Sequence, residues 1–305
     1  ESNKGQVILA AGQKIYVQAS EDPTLRGLLV EVDTGSPAWN QLTQGGQVTN
    51  EATGVISTPQ GNISLVGLAV NQSGRLSATT SVRANGSVRL LARDTARIIS
   101  TSTRVEPISA SRGGVLTIGT GSLTEVLPDA TDTGTAVDDQ GQPLSSVEMS
   151  GRQISMQSGS SIAVPGGTVT LTAASDPTIP RAVTATPLSI DPDSQIRLEA
   201  GSRIDVSGAE AVVPVERNLV DVELRANELR DAPAQRDGAL RGRTVTVDAR
   251  VGTPLADVSG AIATIKRGVA ERLSNGGTVA LESQGDVAMS EGATIDVSGG
   301  RVLYM

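Results

Sequence analysis

Apolar and polar positions alternate in short bursts along this chain, and one frame recurs. An apolar residue, a spacer, Leu or Met, two spacers, Gly, two spacers, Ile, a spacer and Val stand at Val7, Leu9, Gly12, Ile15 and Val17. The frame returns at Ile154, Met156, Gly159, Ile162 and Val164, and at Ile196, Leu198, Gly201, Ile204 and Val206. A fourth copy is Val287, Met289, Gly292, Ile295 and Val297. Two apolar residues one position apart put both side chains on one face of a strand. A Gly midway between two such pairs supplies a bend, because it reaches positive φ without steric cost. The frame therefore predicts a short strand, a corner and a second short strand. The last copy extends backward to Val279 and Leu281. Gly276 to Gly299 thus reads as three strands and two corners, one turn of a triangular coil.

Partial copies carry the same pattern. Gly5-Gln6-Val7-Ile8-Leu9, Gly61-Asn62-Ile63-Ser64-Leu65 and Gly86-Ser87-Val88-Arg89-Leu90 share one frame. Gly166-Gly167-Thr168-Val169-Thr170-Leu171 nearly equals Gly276-Gly277-Thr278-Val279-Ala280-Leu281. The tetrapeptide Asp-Val-Ser-Gly occurs at Asp205, Asp257 and Asp296. A meander of hairpins would turn on Asn-Gly or Asp-Gly, and those dipeptides are scarce. Strands of three to five residues suit a stack in which each pairs with its equivalent in the next turn. The predicted fold is an all-β, right-handed parallel β-helix, a solenoid of triangular coils with loop insertions and one short helix. At ~20–25 residues per coil and ~4.8 Å per coil, 305 residues would give about a dozen coils and roughly 60 Å of length.

The reading is of one continuous β-helix segment over 1–305, interrupted near 31–54, 126–145, 210–242 and 262–273. The first interruption holds Pro37 and Trp39 and reads as a loop packed on the coil. The second carries Asp129, Asp132, Asp138 and Asp139 and reads as an exposed acidic loop. The third begins with a strand-like alternation from Val215 to Arg225 and continues through a charged stretch that reads as loop or short helix. In the fourth, Ile262, Ile265, Val269 and Leu273 fall at helical spacing, predicting an amphipathic helix that covers the side or end of the coil.

Composition fits thin layers. The chain has no Phe, one Trp, two Tyr and 34 Gly, so its core must be built from Val, Ile, Leu and Ala rather than from bulky rings. With no His and no Cys, a Ser-His-Asp triad, a Cys nucleophile, a disulfide and the usual zinc site are all excluded. The net charge of −8 argues against nucleic acid and anionic membranes as principal partners. No run of 18 apolar residues spans a bilayer, and Glu1 opens no leader sequence.

Candidate chemistry is sparse. Asp205, Asp257 and Asp296 recur in one frame, as in β-helix enzymes that cleave polysaccharides, but Asp beside Ser-Gly also caps a turn. The acidic loop offers carboxylates for Ca²⁺ without the spacing of an EF-hand or a calcium β-roll. Trp39, Tyr16 and Tyr304 are the only aromatic platforms for a glycan. Arg225, Arg230, Arg236, Arg241, Arg243 and Arg250 stand among acidic residues, a mixture typical of an ion-paired surface. No catalytic residue, cofactor or metal is assigned.

The tracts Arg217-Asn218-Leu219-Val220, Gln235-Arg236-Asp237-Gly238-Ala239-Leu240-Arg241-Gly242, Gly252-Thr253-Pro254-Leu255-Ala256-Asp257-Val258-Ser259-Gly260 and Gly292-Ala293-Thr294-Ile295-Asp296-Val297-Ser298-Gly299-Gly300 resemble the filamentous haemagglutinin family, in its branch of very large exoproteins. The specific part covers about 215–300. The resemblance implies a right-handed β-helix exported by two-partner secretion through an outer-membrane β-barrel transporter. It also implies adhesion, biofilm formation or cell contact at the surface of a Gram-negative bacterium. The family's Asn-Pro motifs are missing, so the chain is expected to be an internal or processed piece of a larger precursor, with the transporter a partner of that precursor. Neither terminus shows a cap, which predicts coverage of both ends by more of the same fold, in one chain or by head-to-tail stacking into a fibre.

Two readings stand. One is a structural stalk or filament element of an exported adhesin, without enzymatic activity. The other is a polysaccharide-degrading β-helix enzyme or glycan-binding module, which needs a groove of convergent Asp and Arg.

Overall fold

The computed structural model of the chain describes residues 4–20, 26–35, 46–100, 105–108, 110–177, 190–224 and 238–305. Its centre is a parallel β-helix with three faces and six coils. The first face stacks Gln6–Ala10, Asn62–Gly67, Ser87–Asp94, Ser146–Gly151, Thr168–Ala173 and Thr278–Ser283. The second stacks Gln47–Asn50, Ala69–Gln72, Val115–Ile118, Gln153–Met156, Gln195–Leu198 and Asp286–Met289. The third stacks Val55–Thr58, Arg75–Thr80, Leu123–Pro128, Ser161–Ala163, Arg203–Asp205 and Thr294–Asp296. Every ladder on these faces is parallel, save one short antiparallel pair at the margin of the first.

Register follows the apolar frame. On the first face, Val7, Ile63, Val88, Val147, Val169 and Val279 form one inward column, and Leu9, Leu65, Leu90, Met149, Leu171 and Leu281 another. On the second, Ile154, Ile196 and Val287 lie in register, as do Met156, Leu198 and Met289. Ile162, Ile204 and Ile295 complete the triangle. These columns make one continuous aliphatic core without an aromatic side chain. Layers ~4.8 Å apart have room for a branched aliphatic side chain per position, and rings would straddle them.

The corners obey two steric rules. Gly159, Gly201 and Gly292 turn the second face into the third at φ of +72°, +77° and +82°, stacked on Gly121 at +68°. The residue after each is small and buried: Ser122, Ser160, Ser202 and Ala293. At the start of the first face, a Cβ on Gly61 would lie 2.2 Å from the carbonyl oxygen of Gly5, and one on Gly277 2.0 Å from that of Gly167. The backbones meet there too closely for any side chain.

The structure departs from the sequence reading in several places. Six coils form, about 30 Å of stack, not a dozen. Successive first-face strands are 56, 25, 59, 22 and 110 residues apart, and only the 25- and 22-residue steps are bare turns. The first copy of the eight-residue frame is not a corner. Ile15 and Val17 sit half-exposed in Lys14–Ala19, which pairs antiparallel with Leu28–Asp33. Gln13 occupies the position that must be small, and Gly12 does not take positive φ. This hairpin lies on the outside of the first face, with Val30 and Val32 against Val66 and Leu91. Glu31 is ion-paired to Arg93, and Asp94 to Arg112. The loop expected over 31–54 therefore gives way to strands at both ends: Leu28–Asp33 in the hairpin, Gln47–Asn50 in the coil. Trp39 lies outside the described residues.

The third interruption contains Glu210–Val213, which runs parallel to Arg301–Tyr304; Val215–Asn218, expected as strand, is a 3-10 turn after Pro214, and only Leu219–Glu223 is a strand, antiparallel to Thr244–Asp248 just beyond the interruption. The charged stretch at 225–237 lies outside the described residues. The single helix expected over 262–273 is two one-turn helices, Ser259–Ile262 and Val269–Arg272. Gly268 adopts an extended conformation between them, and Arg267 pairs its backbone with Ala136. Val269 and Leu273 pack on Val82, Ala136 and Ala209, so the segment does cover the flank of the coil.

One core position is miscast. Thr124 points inward between Leu76 and Ile162, fully buried, with its hydroxyl unpaired. An unpaired buried hydroxyl costs about 1–3 kcal/mol. Thr124→Val is nearly isosteric and is expected to raise the stability by about 1 kcal/mol in urea denaturation. A loss of stability would mean that the hydroxyl has a partner in solution.

Candidate functional site

The feature of this fold most able to engage another molecule is its last coil. Thr278–Ser283, Asp286–Met289 and Thr294–Asp296 each end their sheets, pairing with coil 5 on one side only. Among the described residues, their outer edges carry backbone N–H and C=O groups without ladder partners, a template for another strand. None of the three strands contains Pro or Lys, the residues that commonly protect such edges.

Side chains tell the same story. Val287 is 47% exposed and Met289 49%, whereas Ile196 and Leu198, one layer below, are 0% and 1% exposed. Val297 is 53% exposed above a buried Val206. The opposite end differs. In coil 1, Val48, Asn50 and Thr58 are buried while Leu9 of the first face is 36% exposed, and Asn50 donates to Gln72 Oε1 across 2.7 Å inside the stack. At one position of the second face, polar Asn50 and Gln72 thus replace the apolar residues of later coils, while the rest of the interior of coils 1 and 2, like that of coil 6, is mainly apolar.

The Asp-Val-Ser-Gly repeats divide. Asp205 and Asp296 stand in register on neighbouring strands of the third face. Each accepts hydrogen bonds at Oδ1 from the backbone N–H and the hydroxyl of the Ser two residues on, Ser207 and Ser298. Arg203 bridges them, 2.7 Å from Asp205 and 3.6 Å from Asp296. Burial alone would raise the Asp205 carboxyl, but the bonds from Ser207 and Arg203 outweigh it and hold it below the ordinary value. The Ser298 bonds do the same for Asp296. Neither is set to act as a general acid near neutrality. Asp257 lies elsewhere, accepting from the backbone of Ser259 before a one-turn helix. In coils 5 and 6 the tetrapeptide marks the exit from the third face toward the parallel pair that follows. Val206 N–H donates to Asp296 O, and Gly208 N–H to Ser298 O.

The loop expected to be exposed and acidic is docked at its start, while Asp138 and Asp139 are exposed as expected. Asp129 is buried, accepting from Gln60 and from Thr131. Asp132 accepts from the backbones of Val82 and Gly134. Asp138 is ion-paired to Arg267 at 3.2 Å. Asp129, Asp132 and Asp138 each have separate partners, and among the described residues no carboxylates gather in threes as a metal site would require.

Tyr304 carries the Arg250 guanidinium 3.7 Å above its ring, and Arg250 also reaches Asp248. Tyr16 is half-buried in the hairpin opposite Glu31. Arg241 and Arg243 flank the second antiparallel pair, and Arg225, Arg230 and Arg236 lie outside the described residues. No sequence signal marked Arg152, whose Nε and Nη2 each donate across 2.8 Å to Asp191 at the edge of the second face. The Arg152 bond, with help from Ser194, pulls Asp191 down to about 2. Because the folded value lies below the unfolded 3.8, the stabilisation is full above pH 4 and disappears as pH falls through about 2. Arg152→Ala is expected to cost about 1 kcal/mol at pH 7 and almost nothing at pH 2. An equal loss at both pH values in chemical denaturation would show that Arg152 acts by packing.

Compared with protein-family models, curated proteins and solved structures, the chain matches none.

Proposed function

We propose that this chain is a structural rod element of a large exported bacterial exoprotein of the adhesin type, and that coil 6 is the surface on which a further coil stacks. The further coil comes from the parent chain or from coil 1 of a second copy. The observation that carries the reading is the half-exposed apolar interior of coil 6 above three unpaired strand edges. Placing coil 1 in the next register would set Val7, Leu9, Val48 and Ile56 over Val279, Leu281, Val287 and Ile295, apolar on apolar, with Asn50 over Met289 a polar mismatch.

The side wall supports a rod rather than an enzyme. Outward positions of the second face are mostly small or polar, among them Gln47, Asn71, Thr117, Ser155 and Gln195, with Arg197 and Asp286 the charged ones. Export by two-partner secretion, with its outer-membrane transporter, rests on the resemblance of the 215–300 tracts to the filamentous haemagglutinin family, as do adhesion, biofilm and a place at the Gram-negative surface.

Sedimentation velocity over a hundredfold concentration range tests the stacking. Species that lengthen with concentration are expected. A monomer at every concentration, with coil 6 amides as protected from exchange as those of coil 5, would contradict it.

A further inference from the structure

A second surface feature is independent of the coil ends. At the corner leading into the first face, a cleft of about 530 Å³ is lined by Arg26, Arg83, Asn85, Pro143, Leu144 and Thr168, among others. Arg26 is partly buried and fixed in place: Nε donates to Asn85 Oδ1 at 3.2 Å, and Nη2 donates to Gln60 O at 3.0 Å and to Asn85 O. All these acceptors are uncharged. Its Nη1 has no acceptor, and the guanidinium no carboxylate, among the described residues. Burial lowers its pKa, and no carboxylate among the described residues opposes that shift. Arg83, at the rim, is exposed and likewise unpaired among the described residues.

Arginines elsewhere are treated differently. Arg93 is paired with Glu31, Arg112 with Asp94, and Arg152 with Asp191. A partly desolvated guanidinium held by neutral groups is an electrostatic deficit that an incoming anion relieves. The guanidinium fork suits a carboxylate, which it can grip through two parallel N–H donors. The opposite wall is apolar, formed by Pro143 and the half-exposed Leu144. That loop is anchored by Gln142, which donates to Ser81 O at 3.0 Å and accepts from Arg272 Nε at 2.9 Å.

We propose that this cleft binds an organic carboxylate with an apolar body, its charge between Arg26 and Arg83 and its hydrocarbon against Pro143 and Leu144. Two sources share that chemistry, a free aliphatic acid and the apolar C-terminal residue of a peptide.

The test is calorimetric titration of the whole chain at pH 7 with octanoate, N-acetyl-leucine and sodium sulfate, repeated on Arg83→Gln and Leu144→Asp. Both positions are solvent-exposed enough to leave the fold intact, checked by circular dichroism. Saturable binding of either carboxylate, weakened at least tenfold in each variant, is expected. Preference for octanoate identifies the free acid, and preference for N-acetyl-leucine identifies the peptide end. Sulfate binding as well as the carboxylates, or affinities indifferent to both substitutions, would overturn the proposal.

Discussion

Ile196→Ala is expected to destabilise the protein by about 3 kcal/mol, and Val287→Ala, one layer further in the same column, by less than about 1 kcal/mol. Ile196 is fully buried between Ile154 and Val287, and the ladder hydrogen bonds above and below it fix the spacing of the layers. A methyl-lined void there cannot close by sliding the backbone, so both the transfer and the cavity contributions are lost. Val287 has water on one side already, so its truncation removes little buried area. Urea denaturation of dilute protein, followed by far-ultraviolet circular dichroism, measures both. Equal losses would mean that coil 6 is covered in the isolated monomer.

The second large effect is on assembly. Val287→Asp should abolish end-to-end association while leaving the monomer's stability within about 1 kcal/mol, since the carboxylate is in water until a neighbour arrives. Ala288→Asp, the adjacent outward-facing position, should leave association almost unchanged. Within one strand the side chains alternate between the stack and the solvent, so the contrast isolates the coil interior from net charge. If both substitutions weaken association equally, charge rather than stacking governs it.

The sequence carried much of this architecture because the frame that builds the coil is also the frame that repeats. Gly61-Asn62-Ile63-Ser64-Leu65 and Gly86-Ser87-Val88-Arg89-Leu90 were legible as equivalents, and they stack residue for residue. Ser145-Ser146-Val147-Glu148-Met149 belongs to the same column and is hidden by Ser for Gly and Met for Leu. Ile15 and Val17 matched the apolar frame yet leave the stack, because the frame tests strand faces and not the small buried residue after the corner. Gln13 in place of Ser or Ala is the visible sign.

The number of coils was overestimated for a related reason. Insertions at the corners add residues without adding turns, and those between Ala173 and Thr278 alone exceed the length of three bare turns. Their content is set by contacts between segments far apart in sequence, such as Ala136 with Arg267 and Arg217 with Glu271. No local periodicity encodes such pairings. The polar position inside coils 1 and 2 was not legible, because Asn50 and Gln72 disclose their inward direction only once the register is known. The Arg26 and Arg83 cleft was invisible for the same reason, with its walls drawn from separate coils.

Electron microscopy of the purified protein, with fibre diffraction of aligned samples, tests the central claim most directly. The account predicts rods that lengthen end to end with a ~4.8 Å axial repeat, and single rods about 30 Å long at low concentration. Compact particles without that repeat, or rods joined side by side with coil 6 left free, would contradict it.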